Sequence, residues 1–387
     1  MKRKVLRITL AVAMAMAVLS ANSGCSRPPP ERNLETAVPV VHVADDMTPV
    51  IEEVFSLDDL PDSPESDFNI LRSNDGNSVI IRGYTGSDRV VRIPSEIRGL
   101  PVVRIESLAF AWRELTGVVI PDSVISIGEG AFRDNQLTNV ILSNRLTAIE
   151  REVFQNNQLT SVDIPNGVVS IGTSAFLGNQ LTSVTIPTSV TSIERGAFRD
   201  NQLTDVVIPN SVTRIEDWAF SGNQLTSITI PSRLTSINAS VFSGNQLTGV
   251  VIPNNVTRIE TWAFSGNQLT SVIIPNSVTY IGMGAFRRNQ LTSITIPNRI
   301  TSIPPDTFRD NQLTSVTIPS NVTEIGPEAF RGNQLTRITI GSNVTSAQGS
   351  GSSSFDIDSG FDSFYSRTAG RRAGTYVFAN GSWNEEW

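Results

Sequence analysis

The stretch that decides the fold is Asn201-Gln202-Leu203-Thr204-Asp205-Val206-Val207-Ile208-Pro209-Asn210-Ser211-Val212-Thr213-Arg214-Ile215, followed by Ala219-Phe220. The tetrad Asn-Gln-Leu-Thr that opens it occurs ten times, and the copies begin 22 residues apart from Asn135 to Asn333. A degenerate copy starts at Arg113, and Phe recurs in the same register from Phe110 to Phe330. A fixed period of this length is the signature of stacked structural units.

Each unit carries apolar residues with the spacing L-x-x-V-x-I before a proline. In one such segment, Val184 and Ile186 are expected to point inward and Ser183 and Thr185 outward, because side chains alternate along a strand. Pro187 should end the strand because it has no N–H to donate. The spacing is that of a leucine-rich repeat and predicts one short strand in every turn.

A single unit cannot cover its own apolar side chains, whereas units stacked in register cover one another. The sequence therefore predicts a β-rich leucine-rich-repeat solenoid of about eleven 22-residue units, with β-rich caps at its N- and C-terminal ends. The recurring Asn is interpreted as a buried amide that bonds the backbone of each turn. A glycan site or a metal ligand is the alternative role for it.

Composition excludes several kinds of chemistry. The chain has 387 residues and a formal net charge of −7, with a single Cys, Cys25, and a single His, His42. Disulfide frameworks, Cys/His zinc sites and His-based triads need partners that this chain lacks. The only lysines are Lys2 and Lys4, so no P-loop or Schiff-base lysine follows them. The acidic balance disfavours nucleic acid, and we predict no catalytic residue, metal or cofactor.

The first residues have the pattern of an export signal. Basic residues between positions 2 and 7 precede a twelve-residue apolar stretch, and small residues then lead to Cys25. Residues 1–24 are predicted to be a signal peptide, and Gly24-Cys25 resembles a bacterial lipobox with Cys25 as the site of lipid attachment. An ordinary signal-peptidase site at Ala21-Asn22-Ser23 is the alternative. Removal of residues 1–24 deletes four positive charges and changes the net charge from −7 to −11.

The remainder of the chain divides by composition. Residues 25–67 begin with the lipid-attachment Cys and continue as a Pro-rich, acidic segment, which predicts a disordered tether with His42 in solvent. Residues 68–99 are predicted to form the N-terminal cap, residues 100–341 the solenoid, and residues 342–387 a Ser/Gly linker with an aromatic C-terminal cap. Asn380-Gly381 predicts a hairpin turn in that cap. A separate ligand-binding role for the terminal aromatic residues is the alternative.

One local departure from the repeat suggests a binding patch. Residues 213–220 recur almost unchanged 44 residues later, and both copies contain Arg and Trp. Two turns of a solenoid place such copies roughly 10 Å apart on one face, and Trp and Arg are enriched at interface hot spots. The predicted partner-binding residues are Arg214, Trp218, Arg258, Trp262 and Tyr280. Loop packing after duplication of a unit is the alternative explanation.

The quoted unit resembles the BspA-type leucine-rich repeats of bacterial surface proteins, notably those of spirochaetes and oral anaerobes. The resemblance covers about two thirds of the chain. The segments Arg92-Ile93-Pro94-Ser95 and Gly99-Leu100-Pro101-Val102 resemble the longer first unit of that family. Where many relatives carry Cys after the Ala-Phe segment, this chain has Asn.

The resemblance and the export signal together imply a cell-envelope protein that binds other proteins without covalent chemistry. The expected activity is adhesion to host or neighbouring-cell proteins, such as an extracellular-matrix or cell-surface protein. The expected location is the outer membrane or cell surface, with the lipid anchor as the only membrane contact. A periplasmic or envelope scaffold that organises other bacterial proteins, without host contact, is the alternative.

Overall fold

A computed structural model describes residue 57 and residues 60–346, 354–355, 360–367 and 372–386. The chain divides after Glu53, and every described residue belongs to the second unit, Val54–Trp387. The predicted signal peptide, Cys25, His42 and most of the predicted tether lie outside the described residues. No helix in the described part of the chain is long and apolar enough to span a bilayer.

The N-terminal region contains a 3-10 turn, Glu65–Asp67, and then five strands: β1 (Phe68–Arg72), β2 (Val79–Tyr84), β3 (Val90–Arg92), β4 (Glu96–Ile97) and β5 (Leu100–Ile105). Strand β1 pairs antiparallel with β2, and β2 pairs parallel with β5. Parallel pairing then continues along the chain, because each later turn stacks on the turn before it.

The turns are joined mainly by two-residue parallel strands that end in Ile. In one of them Ser192 and Ile193 pair with Ser170 and Ile171 of the preceding turn, and the Ile side chains are buried. The strands of this series are β7 (Ser126–Ile127), β9 (Ala148–Ile149), β10 (Ser170–Ile171), β11 (Ser192–Ile193), β12 (Arg214–Ile215), β13 (Ser236–Ile237), β14 (Arg258–Ile259), β15 (Tyr280–Ile281), β16 (Ser302–Ile303) and β18 (Glu324–Ile325). A last strand, β20 (Thr345–Ser346), pairs with β18 and has Ser in place of Ile.

The prediction of one strand per turn in the L-x-x-V-x-I segment is wrong for the central turns. There the segment forms single bridges, such as Thr185 with Val207 and Val251 with Ile273. Longer pairing occurs only near the ends of the array, in β6 (Gly117–Val119), β8 (Asn139–Ile141), β17 (Ser315–Ile318) and β19 (Arg337–Ile340). The predicted alternation is correct, since Val184 is buried and Thr185 exposed. A proline directly after the segment limits how far a ladder can extend.

A column of stacked rings forms the axis of the core. The Phe rings from Phe110 to Phe330 are buried, and the centroids of successive rings lie 4.8–6.0 Å apart. Tyr84 extends the stack at the N-terminal end, 5.6 Å from Phe110, and Phe355 extends it at the other end, 5.2 Å from Phe330. The fold is therefore the predicted leucine-rich-repeat solenoid, with about 12 turns.

The parallel ladder is interrupted three times, before β9, β13 and β16. The turns that contain these three strands share a departure from the repeat. Where the other turns of the array have Val, they have Leu146, Leu234 and Ile300, and each of these residues follows an Arg. We attribute the interruptions to the larger side chain, which takes more room than Val at the start of the strand. Pro304, directly after β16, contributes a second cause. Gly326, at the equivalent position of the next turn, donates its N–H to Ile303 O at 2.6 Å, and Pro304 has no N–H with which to make this bond to its own preceding turn.

The C-terminal end is closed by α1 (Phe361–Arg367) and a hairpin of β21 (Gly374–Ala379) and β22 (Ser382–Glu386). Strand β21 pairs antiparallel with β19. The hairpin turn predicted at Asn380-Gly381 is present, and both residues have the positive φ, 54° and 75°, that a two-residue hairpin turn requires.

Candidate protein-binding surface

The repeated Asn residues are structural. Oδ1 of Asn201 accepts a hydrogen bond from the N–H of Leu181 at 3.0 Å, and Nδ2 donates to Phe176 O at 2.9 Å and Phe198 O at 3.1 Å. The other nine copies make the equivalent bonds to Leu and Phe. The column therefore holds the turns together, and its amides are not exposed as a glycan or metal site.

Two of the predicted binding residues, Arg258 and Tyr280, are in contact across consecutive turns. Strands β14 and β15 pair Arg258 with Tyr280, and Cζ of Arg258 lies 4.1 Å from the centroid of the Tyr280 ring. Glu260 Oε1 accepts from Arg258 Nε at 2.7 Å. The guanidinium is thus fixed between a ring and a carboxylate while about half of its side chain remains exposed.

Trp262 lies in the same turn as Arg258 and is 42% exposed. Its backbone is left-handed, with φ 54°, as at the equivalent position of the neighbouring turns. A Cβ added to Gly284 of the next turn would lie 2.3 Å from the indole ring, so the ring lies over that glycine. The N–H of Trp262 also donates to Met283 O at 2.9 Å, and Met283 is 40% exposed.

Arg214 and Trp218 are also accessible, but their partners lie in the preceding turn. Arg214 forms an ion pair with Glu194 at 2.5 Å, and the hydrogen bond from this guanidinium, with the charge of the carboxylate, raises the pKa of Arg214. Arg195 Cζ lies 4.2 Å from the centroid of the Trp218 ring. Within residues 60–346, no ion pair or ring contact joins these residues to Arg258, Trp262 or Tyr280, so the predicted patch consists of two separate halves.

The same two turns expose apolar residues on the outward side of the L-x-x-V-x-I segment. Val251 is 82% exposed and Ile273 is 84% exposed, and their backbones form a bridge. Gly249 beside them replaces the Ser of most turns, and all three residues line a groove of about 520 Å³. Thr occupies the position of Val251 and Ile273 in other turns, for example at Thr229 and Thr295, so these two apolar residues depart from the repeat.

Charged residues elsewhere on the array pair across turns instead of converging on a pocket. Arg133 contacts Glu152 of the next turn at 2.5 Å, and Arg309 contacts Glu328 of the next turn. Among the described residues there is no group of three or more His, Cys, Asp or Glu that could hold a metal ion.

These features define a leucine-rich-repeat scaffold of the class that binds other proteins. The chain belongs to the family described as the BspA type Leucine rich repeat region, which matches in six copies over residues 103–225, 191–311 and 235–357. This result confirms the resemblance seen in the sequence.

Two solved structures illustrate the relationship. The chain is 30% identical to a leucine-rich cell surface protein from Faecalibacterium prausnitzii, with a TM-score of 0.50 over 74% of this chain and 91% of that one. It is 21% identical to the pneumococcal vaccine antigen PcpA, with a TM-score of 0.56 over 71% of this chain and 82% of that one, a likeness that shows the fold alone. No curated protein matches this sequence.

Proposed function

We propose that this chain is an exported cell-envelope protein that attaches the cell to host or neighbouring-cell proteins by non-covalent binding. Three observations support this function: the repeat family, the likeness to a cell surface protein of Faecalibacterium prausnitzii, and the signal pattern of residues 1–24. Residues 25–67 act as the tether, with Cys25 lipidated, and residues 68–99 and 342–387 cap the solenoid.

The observation that carries the proposal is the concentration of exposed Arg, aromatic and apolar residues in residues 245–288. Arg258, Trp262 and Tyr280 are held in place by packing within the array, so a partner loses little side-chain freedom in ordering them. Trp, Tyr and Arg are the residues enriched at interface hot spots. Arg214 and Trp218 lie two turns earlier and form a second, separate part of the proposed surface.

Substitutions taken from the repeat itself test this surface. Ser stands at the position of Arg258 and Tyr280 in β13 and β16, and Ser240 stands at the position of Trp262 in the preceding turn. We expect the triple variant Arg258→Ser, Trp262→Ser, Tyr280→Ser to weaken adherence to immobilised extracellular-matrix proteins about tenfold or more. The matched control is Trp112→Ser, since Trp112 is 61% exposed and lies outside the patch.

Adherence that survives the triple substitution, with the fold intact by circular dichroism, would rule out this patch. A second pair of substitutions, Val251→Thr and Ile273→Thr, installs the residue that Thr229 and Thr295 provide at the same position. Loss of adherence in this pair alone would place the contact on the outward strand side instead.

The scaffold alternative is tested by location. Protease added to intact cells should remove the protein if it faces outward, whereas an inward-facing scaffold should be protected. Labelling with a fatty acid should depend on Cys25, so Cys25→Ala should lose the label. Protection from protease would favour the periplasmic scaffold, and a label that persists in Cys25→Ala would refute the proposed anchor.

A further inference from the structure

The column of Asn amides ends in the last turn of the array. The backbone C=O and N–H groups of that turn that would bond the next Asn therefore have no Asn to bond. In each turn from Phe110 onward, a Phe C=O and the N–H of the Leu five residues later bond the Asn of the following turn. For Phe308 and Leu313 that Asn is Asn333, with Nδ2 donating to Phe308 O at 2.9 Å and Oδ1 accepting from Leu313 N–H at 3.0 Å.

The corresponding pair in the last turn is Phe330 O and Leu335 N–H. Phe330 O accepts a bond from Asn333 of its own turn at 2.7 Å, but not the second amide bond that the earlier Phe carbonyls accept. The N–H of Leu335 has no acceptor among the described residues. The position 22 residues after Asn333 is Phe355, whose ring stacks on Phe330 and which has no amide to offer.

A cavity lies where the next Asn amide would be. Its volume is about 250 Å³, and its lining includes both Phe330 and Leu335. The other walls come from the last turn and the C-terminal cap. They include uncharged polar residues, Asn333, Gln334 and Thr336, and apolar residues, Ile338, Phe355, Phe378 and Trp383. Pockets for drug-sized ligands measure about 300–1,000 Å³, so this cavity is suited to a single side chain.

We propose that this cavity binds the primary carboxamide of an Asn or Gln side chain presented by a partner polypeptide. The carboxamide oxygen accepts from Leu335 N–H and its NH₂ group donates to Phe330 O, as the internal Asn residues do in every earlier turn. The aromatic walls cover the methylene groups of the side chain.

Other ligand classes match this pair of groups less well. A carboxylate can accept from Leu335 N–H but has no hydrogen to donate to Phe330 O. It would also lose its hydration in a cavity whose lining contains no charged residue. An aliphatic side chain would leave the Leu335 N–H unpaired and would offer no second donor to Phe330 O, which costs free energy when these groups lose contact with water. The site is distinct from the Arg258 patch, and its test does not depend on the proposed adhesion.

The experiment is a titration of the mature full-length chain labelled with ¹⁵N-leucine, followed by the amide signal of Leu335 in NMR spectra. Propionamide should shift this signal in a saturable way. N,N-dimethylpropionamide, which cannot donate, should bind about tenfold more weakly, as expected for loss of one hydrogen bond in a cavity, and propionate should not bind. The internal control is the amide of Leu313, already bonded to Asn333, which should not move.

Peptides distinguish a polypeptide source from a free amide. Acetyl-Ala-Gln-Ala-N-methylamide should shift the Leu335 signal and its Glu counterpart should not, whereas binding of propionamide alone would overturn the polypeptide assignment. Phe378→Ala removes one wall and should weaken propionamide binding. The comparison of the three small probes uses the unmodified chain, so it does not depend on whether a variant folds. The proposal would be overturned if all three probes shifted the Leu335 signal equally, or if propionamide did not shift it.

Discussion

The repeated Asn acts at the scale of a single residue by bonding two turns at once. The amide of Asn223 bonds Leu203 N–H at 3.0 Å and Phe198 O at 2.9 Å in the preceding turn, and Phe220 O at 3.1 Å in its own. All of these groups are buried, so water cannot replace the amide. The pattern of identical residues predicted this role, because a buried amide has enough donors and acceptors to satisfy several backbone groups.

We therefore expect Asn223→Ala to reduce the free energy of unfolding by about 3 kcal/mol, because it leaves a buried donor and acceptor unsatisfied. Urea denaturation followed by circular dichroism measures this loss. The control is Gln224→Ala in the adjacent, exposed position, which should change the stability by no more than about 0.5 kcal/mol. Equal stability of the two variants would show that the amide column is dispensable.

The candidate site was predictable residue by residue only in part. The sequence identified Arg258, Trp262 and Tyr280 from their chemistry, but not Met283, which lies in a turn without a matching motif. It also placed Arg214 and Trp218 on the same surface because their spacing is regular. Their contacts are instead with Glu194 and Arg195 in the neighbouring turn. These partners lie 20 and 23 residues earlier, at positions whose residue type varies between turns, so the repeat does not predict them.

At the scale of the strand, the ladder interruptions have a direct consequence for backbone protection. In a continuous stretch, Thr213 N–H donates to Thr191 O at 2.9 Å, and Thr279 N–H donates to Thr257 O at 2.9 Å. At the interruption before β13, the N–H of Thr235 has no acceptor among the described residues. The same holds for the two other Thr residues at interruptions, Thr147 and Thr301.

Hydrogen exchange should therefore be faster at the amides of Thr147, Thr235 and Thr301 than at Thr213, Thr257 and Thr279. Exchange reports local opening, and an amide without an acceptor needs no opening to exchange. Resolved to single residues by NMR, the two groups should differ by tenfold or more. Similar rates in the two groups would mean that the ladder is continuous in solution.

Exchanging the side chains at an interruption tests its cause. Arg233→Ser with Leu234→Val installs the Ser-Val pair found in other turns and should slow exchange at Thr235 by restoring room for the ladder. The converse pair, Ser277→Arg with Val278→Leu, should speed exchange at Thr279. If neither changes the rates, the interruption has another origin, such as Asn238, whose side chain donates to Ile215 O at 2.8 Å.

The strands themselves show where the sequence was insufficient. A two-residue strand such as Ser192–Ile193 is too short to display alternation, so the main ladder could not be predicted from pattern. The longer L-x-x-V-x-I segment does alternate, but alternation indicates which side chains are buried and not whether a ladder forms. Burial was therefore predicted correctly and pairing was not.

At the scale of the whole molecule, the period of the repeat predicted the solenoid, but it did not predict how the two ends of the solenoid are packed. The ends use side chains that occur once, and these side chains fit together only in three dimensions. Tyr84 replaces Phe at the start of the ring stack, and Tyr376 packs edge-on against Phe361, with 5.7 Å between the ring centroids, at the other end. Both tyrosines are buried, so each end contains an ionisable group where the interior turns have only Phe.

These two tyrosines make the ends of the solenoid sensitive to alkali. Burial, followed by the nearby carboxylates of Asp88 and Asp67, raises the pKa of Tyr84. Burial and then Glu385 raise the pKa of Tyr376 to about 12. An unfolded tyrosine ionises near pH 10, so the unfolded chain loses these protons first. The stabilisation is complete below pH 10 and is lost as the pH rises from 10 to about 12.

We expect the free energy of unfolding to fall between pH 9 and pH 11, by no more than about 1 kcal/mol for each tyrosine. The only lysines are Lys2 and Lys4, so lysine titration contributes little over this pH range. In the double variant Tyr84→Phe, Tyr376→Phe, urea denaturation at the two pH values should show a smaller fall. Tyr280→Phe serves as the control, since Tyr280 is only partly buried. An equal fall in the double variant and the original chain would contradict this account, because the alkaline sensitivity would then arise from groups other than Tyr84 and Tyr376.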